Sequence, residues 1–388
     1  MMAKRVPIDT YCEKKIPTLQ KTYDGLIDYV DISSVDNTEK KIISYQTIES
    51  TDAPSRAKQL LQKGDVLVST VRPNLNAVAV VEEETENLMV GSTGYCVLRC
   101  KDNMDVRYLF NFCQSQYFVD DMSSQATGAS YPAVSNGIVR SALIPCCSIE
   151  EQREIAEKMD TVSELLALRK QQLAELDELI KSRFVELFGN TGKQVPLTDY
   201  VWFQEGPGVR SVDFTDDGTI LLTGSNINDN VISFGHKSDR HVSNELASGK
   251  YAHFMCDKDD ILVVSSAIDP DKFDKKVVVV DVDKKYCLNT GIIRFKPNKQ
   301  YLTLGYFREF LKTDYFKHQV SGEMRGIAQM HFGPSHLKQM TLLLPDSIES
   351  QVEFETFVQQ TDKSKLAVQQ SIAELEELKK SLMQQYFG

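Results

Sequence analysis

The apolar residues of this chain follow two different patterns. Short runs rich in β-branched residues, bounded by turn residues, predict strands: DVLVST, NAVAVV, TILLTG, DILVVSS, KVVVVD and GIIRF. After the strand runs of each copy, VRYLFNFCQSQYF and LGYFREFLKTDYF predict short helices. These patterns fall in two regions, residues 1–147 and 190–345. Each of these regions is therefore expected to be a mixed α/β domain.

The second pattern is a long stretch with an apolar residue at every third or fourth position. It occurs twice, at 148–189 and 346–388. Ser148 with Glu151 forms an S-x-x-E capping box after Pro145, and Asp346 or Ser347 can begin the second stretch. The spacing predicts a coiled-coil seam on each helix. The seam residues are Ile155, Met159, Val162, Leu166, Leu173, Leu176, Ile180 and Leu187, and then Phe354, Val358, Val368, Ile372, Leu375 and Leu382.

The second seam is the less regular of the two. Thr361, Lys365 and Lys379 interrupt it, and Leu366, Leu378 and Met383 are expected to widen it. A helix of about 40 residues is roughly 60 Å long, which is too long to bury its apolar stripe on one small domain. Each helix is therefore expected to pack on the other.

The chain is a tandem duplication. AELDELIKS begins at residue 174 and AELEELKKS at residue 373, an offset of 199, and SIEEQ at 148 recurs as SIESQ at 347 with the same offset. KGDVLV at 63 resembles KDDILV at 258. Each copy is predicted to consist of a variable globular region followed by a helix that is more similar between the copies.

Composition narrows the possible functions. No apolar run is long enough to span a membrane, and MMAKRVPIDTYCEKK lacks the apolar core of a signal peptide, so a cytosolic location is expected. The eight cysteines show no paired CxxC spacing, which favours free thiols over a metal site. A net charge of −11 argues against a simple nucleic-acid binder without excluding one, because acidic residues can lie on faces that never meet phosphate.

Catalytic motifs are missing from the sequence. It contains no phosphate-binding G-x-x-x-x-G-K-[ST] loop, no G-x-S-x-G and no H-E-x-x-H. All six histidines lie in the second copy, whereas a catalytic histidine shared by duplicated domains is expected in both. Catalysis by this chain alone is not expected.

Polar loops after the predicted strands are the candidates for recognition. Arg and Asn side chains can read guanine and adenine edges through two hydrogen bonds. Such loops are also ordinary turns, which favour Gly, Ser and Asn for backbone reasons. The candidate DNA-binding residues are Arg72, Asn74, Asn76, Gln125, Ser130 and Tyr131 in the first copy, and Arg210, Ser225, Asn226, Arg325, Gln329 and His331 in the second.

Two variable halves, each closed by a similar long helix, resemble the specificity subunit of type I restriction-modification enzymes. LIPCCSIEEQREI and LLLPDSIESQ, each leading into a long helix, carry most of this resemblance, together with KGDVLVSTVRP. It implies two target recognition domains, each reading one half of a split site in double-stranded DNA. It also implies antiparallel helices that act as a spacer and dock two modification subunits. Those partners would bind S-adenosylmethionine and methylate adenine, and restriction subunits would add ATP- and Mg-dependent translocation and cleavage.

Two other classes remain open. The chain would be a scaffold if its two domains and coiled coil held protein partners without reading DNA. It would be an enzyme if purified chain alone transferred methyl groups through a site without a familiar motif.

Overall fold

The computed structural model of the 388-residue chain describes residues 4–189, 192–235, 237–321 and 331–388. The chain forms two compact units. Unit 1 comprises Met1–Gln171 and Gln369–Gly388, and unit 2 comprises Gln172–Val368. Each long helix thus contributes residues to both units.

Unit 1 contains two main sheets. One is antiparallel with strand order β10-β7-β8, and the other has the order β5-β2-β9-β6 with β2 and β9 parallel. β1 pairs with β11 next to the start of the first long helix. The strands are β1 (Arg5–Pro7), β2 (Leu26–Val30), β3 (Val35–Asp36), β4 (Lys41–Ile42), β5 (Gln46–Glu49), β6 (Ala57–Leu60), β7 (Val66–Ser69), β8 (Val78–Val80), β9 (Leu88–Ser92), β10 (Tyr95–Leu98) and β11 (Leu143–Pro145).

Three short helices and the first long helix follow β10. They are α1 (Val106–Gln114), α2 (Gln116–Gln125), α3 (Asn136–Ser141) and α4 (Ile149–Phe188). The predicted capping box of α4 is confirmed: Glu151 N donates to Ser148 Oγ at 3.2 Å, and Ser148 N donates to a Glu151 carboxylate oxygen at 2.9 Å. The expected short helices at 106–118 are confirmed as α1 and α2.

Unit 2 repeats this arrangement with one more strand in its antiparallel sheet. One antiparallel sheet has the order β13-β22-β19-β20, and the other has the order β14-β18-β15-β21 with β15 and β21 parallel. The strands are β12 (Lys193–Pro196), β13 (Val201–Glu205), β14 (Phe214–Thr215), β15 (Thr219–Leu222), β16 (Ile227–Asn228), β17 (Val231–Ile232), β18 (Arg240–Val242), β19 (Ile261–Val264), β20 (Val277–Val279), β21 (Tyr286–Leu288), β22 (Ile292–Pro297) and β23 (Thr341–Leu344).

The helices of unit 2 again include short ones before the long one. They are α5 (Leu197–Tyr200), α6 (Asn244–Ser248), α7 (Leu304–Phe310), α8 (Asp314–Ser321), α9 (Pro334–Leu337) and α10 (Ile348–Phe387). Ser347 caps α10, since its hydroxyl accepts from Ser350 N at 3.2 Å. The mixed α/β fold with two long helices, expected from the sequence, is confirmed.

The residues that recur in both copies hold the fold together. Asp65 of the first KGDVLV motif pairs with Arg99 at 2.7 Å, and Asp260 of KDDILV pairs with Arg294 at 3.3 Å. Both carboxylates are buried, so each needs its cationic partner and a backbone donor to offset desolvation. Gln351 is buried in the same manner as its counterpart Gln152, and each side-chain oxygen accepts a backbone N–H from the loop before α7 or α1.

Within each unit the two long helices run antiparallel. In unit 1, Ile155 near the start of α4 packs in one core with Phe387 at the end of α10, and Lys170 lies 3.9 Å from Glu376. In unit 2, Lys365 contacts Asp177 at 2.5 Å, and the rings of Phe184 and Phe354 lie 5.5 Å apart. Several predicted seam residues are at least nine-tenths buried: Met159, Val162, Leu166, Ile180, Phe354, Val358 and Val368. The others are partly buried: Ile155, Leu173, Leu176, Leu187, Ile372, Leu375 and Leu382.

Two expectations about the seam were wrong. Leu366 and Leu378 do not widen it, because they are 56% and 46% exposed. The heptad also ends before the last turn of α4. There Phe184 and Phe188 are buried and pack against the ring of Tyr306 in the same unit, whereas Arg183 is only partly buried. Across the described residues, no helix combines the length and apolar character needed to cross a bilayer.

Candidate nucleic-acid interface

The two polar loops predicted in the first copy lie side by side in unit 1. Arg72 N donates to Pro132 O at 2.7 Å, and Val134 N donates to Thr70 O at 2.9 Å. Residues 70–77, which follow β7, are therefore fixed against residues 127–134, which precede α3. We call these two segments the paired loops of unit 1. Their backbone hydrogen bonds join residues about sixty positions apart, which gives the pair a defined geometry.

The turn that carries Arg72 has an unusual backbone. Arg72 has φ 49° and Asn76 has φ 47°, both in the left-handed region, on either side of a single helical turn at Pro73–Leu75. Side chains other than glycine pay roughly 1–2 kcal/mol for this conformation. Such strain tends to occur where function fixes a side chain, which is consistent with a recognition loop.

Arg72 and Tyr131 form an exposed cationic and aromatic surface at the paired loops. The Arg72 guanidinium lies 4.7 Å from the centre of the Tyr131 ring, and Tyr131 is 68% exposed. Beside them is a concavity of about 680 Å³, also lined by Arg56, Asn37 and Thr93. Among the described residues that line it, two are cations and none is acidic, although the chain carries a net charge of −11. A polyanion can approach this surface without repulsion from its lining.

The sequence interpretation missed Arg56, Asn37 and Thr93. Arg56 lies in the Pro- and Ser-containing stretch TDAPSRAK, and a hydrogen bond of 2.9 Å from Thr93 N to Arg56 O joins the two segments. The stretch alone reads as an ordinary turn. Its only signal was a cation beside Pro and Ser, immediately before a strand.

The remaining candidates of unit 1 differ in accessibility. Asn74 and Ser130 are exposed in the paired loops. Gln125 is exposed at the end of α2, with its amide donating to Asp121 at 2.8 Å. Asn76 is only partly exposed. Its backbone oxygen accepts from Lys40 Nζ at 2.5 Å, and its buried side-chain oxygen has no hydrogen-bond partner among the described residues.

Unit 2 repeats the backbone frame of the paired loops with different side chains. Ser265 N donates to Gly291 O at 2.8 Å, and Phe332 N donates to Ser265 O at 3.0 Å. In unit 1, Thr70 N donates to Gly94 O at 2.9 Å, so Ser265 takes the place of Thr70. Two residues later, Ala267 has φ 56° at the place that corresponds to Arg72. The frame is thus duplicated, whereas the arginine is not.

His331 supplies polar chemistry at this point of unit 2. It is exposed, and its Nδ1 lies 3.3 Å from Ala267 N and 3.0 Å from Ser266 Oγ. Because the Ala267 amide can only donate, Nδ1 is the acceptor, and the neutral ring carries its proton on Nε2. The ring therefore presents an N–H donor, which suits phosphate oxygens and the acceptor atoms of bases.

The loop with the sequence GPG, Gly206–Gly208, lies next to the backbone hydrogen bonds of Ser265 and Gly291. Thr290 N donates to Pro207 O at 3.0 Å, one residue before Gly291. Gly206 is required there, because a Cβ at this position would lie 2.1 Å from Asn289 O. Arg210 is exposed at the end of this loop.

One candidate of unit 2 was wrong, and two cannot be placed. Asn226 is only 1% exposed, because its side chain caps the turn from Thr223 and donates to Asp239 at 2.8 Å. It is a structural residue with no face for DNA. Ser225 beside it is exposed and hydrogen-bonded to Ser238. Arg325 and Gln329 lie outside the described residues.

No metal site is found in the part of the chain that the structure describes. No group of three or more His, Cys, Asp or Glu side chains there is arranged to hold an ion. The exposed chemistry of the loops consists of guanidinium, amide, hydroxyl, imidazole and phenol groups, which bind nucleic acid through hydrogen bonds, charge and stacking.

A comparison with protein families identifies the first copy. Residues 9–178 match the family model of the type I restriction modification DNA specificity domain. These residues are similar to a type I DNA specificity domain. The resemblance found in the sequence is thereby confirmed, and the paired loops of unit 1 lie within the matched residues.

Curated relatives carry the corresponding name. The chain is 25% identical over 186 residues to the type I restriction enzyme HindI specificity subunit of Haemophilus influenzae, covering 46% of the chain and 40% of that protein. It is 21% identical over 154 residues to the type I restriction enzyme MjaVIII specificity subunit of Methanocaldococcus jannaschii, covering 38% and 36%. The matched region thus spans about two-fifths of the length of these relatives.

Solved structures extend the similarity of fold to the whole chain. A chain from a study of complex assembly and conformational transition of the type I R-M system aligns with a TM-score of 0.61 at 23% identity, covering 99% of this chain and 97% of that one. The type I restriction-modification system S subunit from M. genitalium aligns with a TM-score of 0.56 at 14% identity, covering 100% and 99%. At these identities the similarity establishes the fold.

Proposed function

We propose that this chain is the DNA sequence-recognition subunit of a type I restriction-modification complex, with no catalytic activity of its own. The observation that carries the proposal is the exposed, acid-free surface formed by Arg72 and Tyr131 on the paired loops and by Arg56 beside them, within the residues that match a type I specificity domain. Arginine supplies the two-pronged donor that reads guanine or grips phosphate, and an exposed tyrosine supplies a stacking or wedge surface.

The two units are proposed to read two different half-sites. The duplicated backbone frame supports this, because it places Arg72 at one position in unit 1 and Ala267 with His331 near the equivalent position in unit 2. Different donors on the same frame select different bases. Double-stranded DNA with a split site is the proposed ligand.

A domain exchange tests this division. Residues 190–346 are replaced by the equivalent segment of another specificity subunit, and the chain is expressed with modification subunits. Methylome sequencing is expected to show one half-site changed and the other retained. A change in both half-sites, or the absence of site-specific adenine methylation with the unaltered chain, would refute the proposal.

The long helices are proposed to set the spacing between half-sites and to dock two modification subunits. Seven of the predicted seam residues do not suit the second role, because they are at least nine-tenths buried. The duplicated phrase offers a better pair. Leu179 and Leu378 occupy equivalent positions in AELDELIKS and AELEELKKS and are 48% and 46% exposed. Two identical partners require two equivalent contacts, and an exposed leucine repeated in both helices meets that requirement.

Replacing each of these exposed leucines by a charged glutamate tests the docking. L179E and L378E are each expected to reduce the number of modification subunits bound from two to one, and the double variant is expected to bind none. Light scattering after size-exclusion chromatography measures this number. V185E is the matched control, since Val185 is 62% exposed on α4 but corresponds to a glutamine in α10. Unchanged stoichiometry in the double variant would exclude these leucines from the interface.

The remaining chemistry is assigned to the partners. S-adenosylmethionine is expected on the modification subunits, and ATP with Mg on the restriction subunits. Methyl transfer, DNA cleavage or ATP hydrolysis that co-purifies with this chain alone would contradict this assignment.

A further inference from the structure

Unit 1 contains two cysteines that face each other across a pair of extended segments. Cys12 and Cys100 form an isolated antiparallel bridge. Glu13 N donates to Arg99 O at 2.8 Å, and Lys101 N donates to Tyr11 O at 2.9 Å. The two hydrogen bonds flank the cysteine pair, so Cys12 and Cys100 occupy a non-hydrogen-bonded position of the ladder.

This position has the geometry that a disulfide requires. Residues opposite each other at a non-hydrogen-bonded antiparallel position have Cα atoms about 4.5 Å apart, with their side chains on the same face. Disulfides form when the Cα atoms are roughly 4.4–6.8 Å apart and the Cβ atoms point towards each other. Bridging Cys12 and Cys100 therefore requires side-chain rotation and little backbone movement.

We propose that Cys12 and Cys100 form a reversible redox site, a dithiol that low-molecular-weight disulfides oxidise to a cross-strand disulfide. Cys100 is partly exposed and Cys12 is buried, so Cys100 is the entry point and Cys12 the resolving thiol. The inference concerns the specificity domain itself and does not depend on the proposed partners.

The thiolate of this pair rests on Cys12, because the hydrogen bond to Cys12, together with burial, raises the pKa of Cys100. A hydrogen bond from the Cys100 thiol lowers the pKa of Cys12, against the opposing effect of its burial, and the positive charge of Arg140 adds to the lowering. Because the two sulfurs share this hydrogen bond, a proton passes from Cys100 to Cys12 when Cys100 acts as the nucleophile. Thiolates are the reactive form in disulfide exchange.

The reaction balances with oxidised glutathione as the oxidant. The Cys100 thiolate attacks the glutathione disulfide, which forms a mixed disulfide and releases one glutathione thiolate. Cys12 passes the proton that it accepted to the released glutathione thiolate, and the Cys12 thiolate then attacks the Cys100 sulfur and releases the second glutathione thiolate, which takes a proton from solvent. The pair loses two electrons, and one glutathione disulfide becomes two thiols.

The other thiols of unit 1 are placed differently. Cys96 lies in β10 opposite Val68, and Cys113 is fully buried in α1. Cys146 is exposed and accepts a hydrogen bond from the Tyr11 hydroxyl at 3.2 Å. Cys146 is therefore the suitable control, because it is the more accessible thiol but lies outside the ladder position.

The test maps disulfides in the full chain after incubation with oxidised glutathione. Free thiols are blocked with iodoacetamide and the chain is cleaved with chymotrypsin. Trypsin is unsuitable, because it cleaves after Arg99 and after Lys101 and would leave Cys100 in a dipeptide. Mass spectrometry is expected to recover a peptide containing Cys12 linked to one containing Cys100. Dithiothreitol should release the link, and the oxidised chain should melt roughly 5 °C or more above the reduced one.

Variants separate this pair from non-specific oxidation. C100S should abolish the link and leave Cys12 alkylated only after unfolding, whereas C146S should leave the link intact. Recovery of Cys12 and Cys100 as alkylated thiols from the oxidised wild-type chain would overturn the proposal. Predominant linkage of Cys100 to Cys96, Cys113 or Cys146 would overturn it equally.

Discussion

Replacing Arg72 by glycine removes its side chain from the paired loops and leaves the backbone turn intact. Arg72 has φ 49°, a conformation that glycine adopts without steric cost. R72A removes the same side chain but keeps a Cβ in the left-handed region. The two variants therefore differ in backbone strain and share the loss of the guanidinium.

The expected change in stability is smaller than the expected loss of binding. Glycine relieves about 1 kcal/mol of left-handed strain and loses about 0.4–1 kcal/mol through the greater entropy of the unfolded chain. Loss of the contact with Tyr131, at 4.7 Å, costs about 0.5–1 kcal/mol at an exposed site. The net change in the free energy of unfolding should stay within about 1 kcal/mol. A lost base contact should cost about 1–3 kcal/mol of binding, or roughly 5- to 150-fold in affinity.

Fluorescence anisotropy with duplex DNA carrying the methylated site measures the binding, and urea denaturation measures the stability. R72G is expected to fold nearly as well as the wild type and to bind more weakly. R72K is the matched control, because it keeps the charge and loses the paired donors. If Arg72 reads a base, R72K should relax one position of the site at an unchanged salt slope. If Arg72 grips phosphate, R72G should weaken all sequences alike and reduce the slope by about one. Wild-type affinity and salt dependence for R72G would refute the reasoning.

Two further predictions concern stability. Hydrogen bonds from Lys284 and Lys296 lower the pKa of Asp257 to about 2. This pKa is below the value near 3.9 of an unfolded aspartate, so the stabilisation is present above that value and is lost as the pH falls towards 2. D257N should therefore lose less stability than the wild type between pH 5 and pH 2 in urea titrations, and parallel profiles would contradict this. F387A should cost about 3–5 kcal/mol, because the ring is fully buried against Tyr108. Hydrogen exchange should then rise in residues 5–145, whereas exchange confined to α10 would show that the ring does not support unit 1.

The long helices could be predicted because their signals are local. The heptad pattern and the Ser148 capping box depend on residues within one or two turns of each other, and burial of Met159 and Phe354 agrees with that pattern. The end of the seam could not be predicted. There Phe188 packs against Tyr306, 118 positions away, and no local spacing encodes that contact.

The recognition loops were only partly predictable for the same physical reason. Their polar composition identified them, but the hydrogen bond between Arg72 N and Pro132 O that pairs them joins distant segments. Arg56 was missed because a similar long-range hydrogen bond, from Thr93 N to Arg56 O, holds its segment beside the concavity at the paired loops. Asn226 was misinterpreted because an amide looks the same in sequence whether it faces solvent or caps a turn. The T-x-x-N spacing from Thr223 was the signal for the cap.

The burial of Phe387 in unit 1 affects the order in which the protein folds as it is synthesised. Its ring lies 5.2 Å from that of Tyr108 and 5.9 Å from that of Phe112, within the core of unit 1. Unit 2 is one continuous stretch, Gln172–Val368, so all of its residues leave the ribosome before Phe387 does. The unit that is translated first therefore receives its last core residue only after the other unit is complete.

N-terminal domains generally fold first during synthesis. In this chain, nearly 200 further residues are synthesised before the Phe387 ring can occupy its site against Tyr108 and Phe112 in the core of unit 1. Loop closure between segments so far apart is slow, and an exposed apolar site in the meantime favours chaperone binding and aggregation. A released chain truncated after residue 368 should accordingly show protease resistance in unit 2 and sensitivity in unit 1.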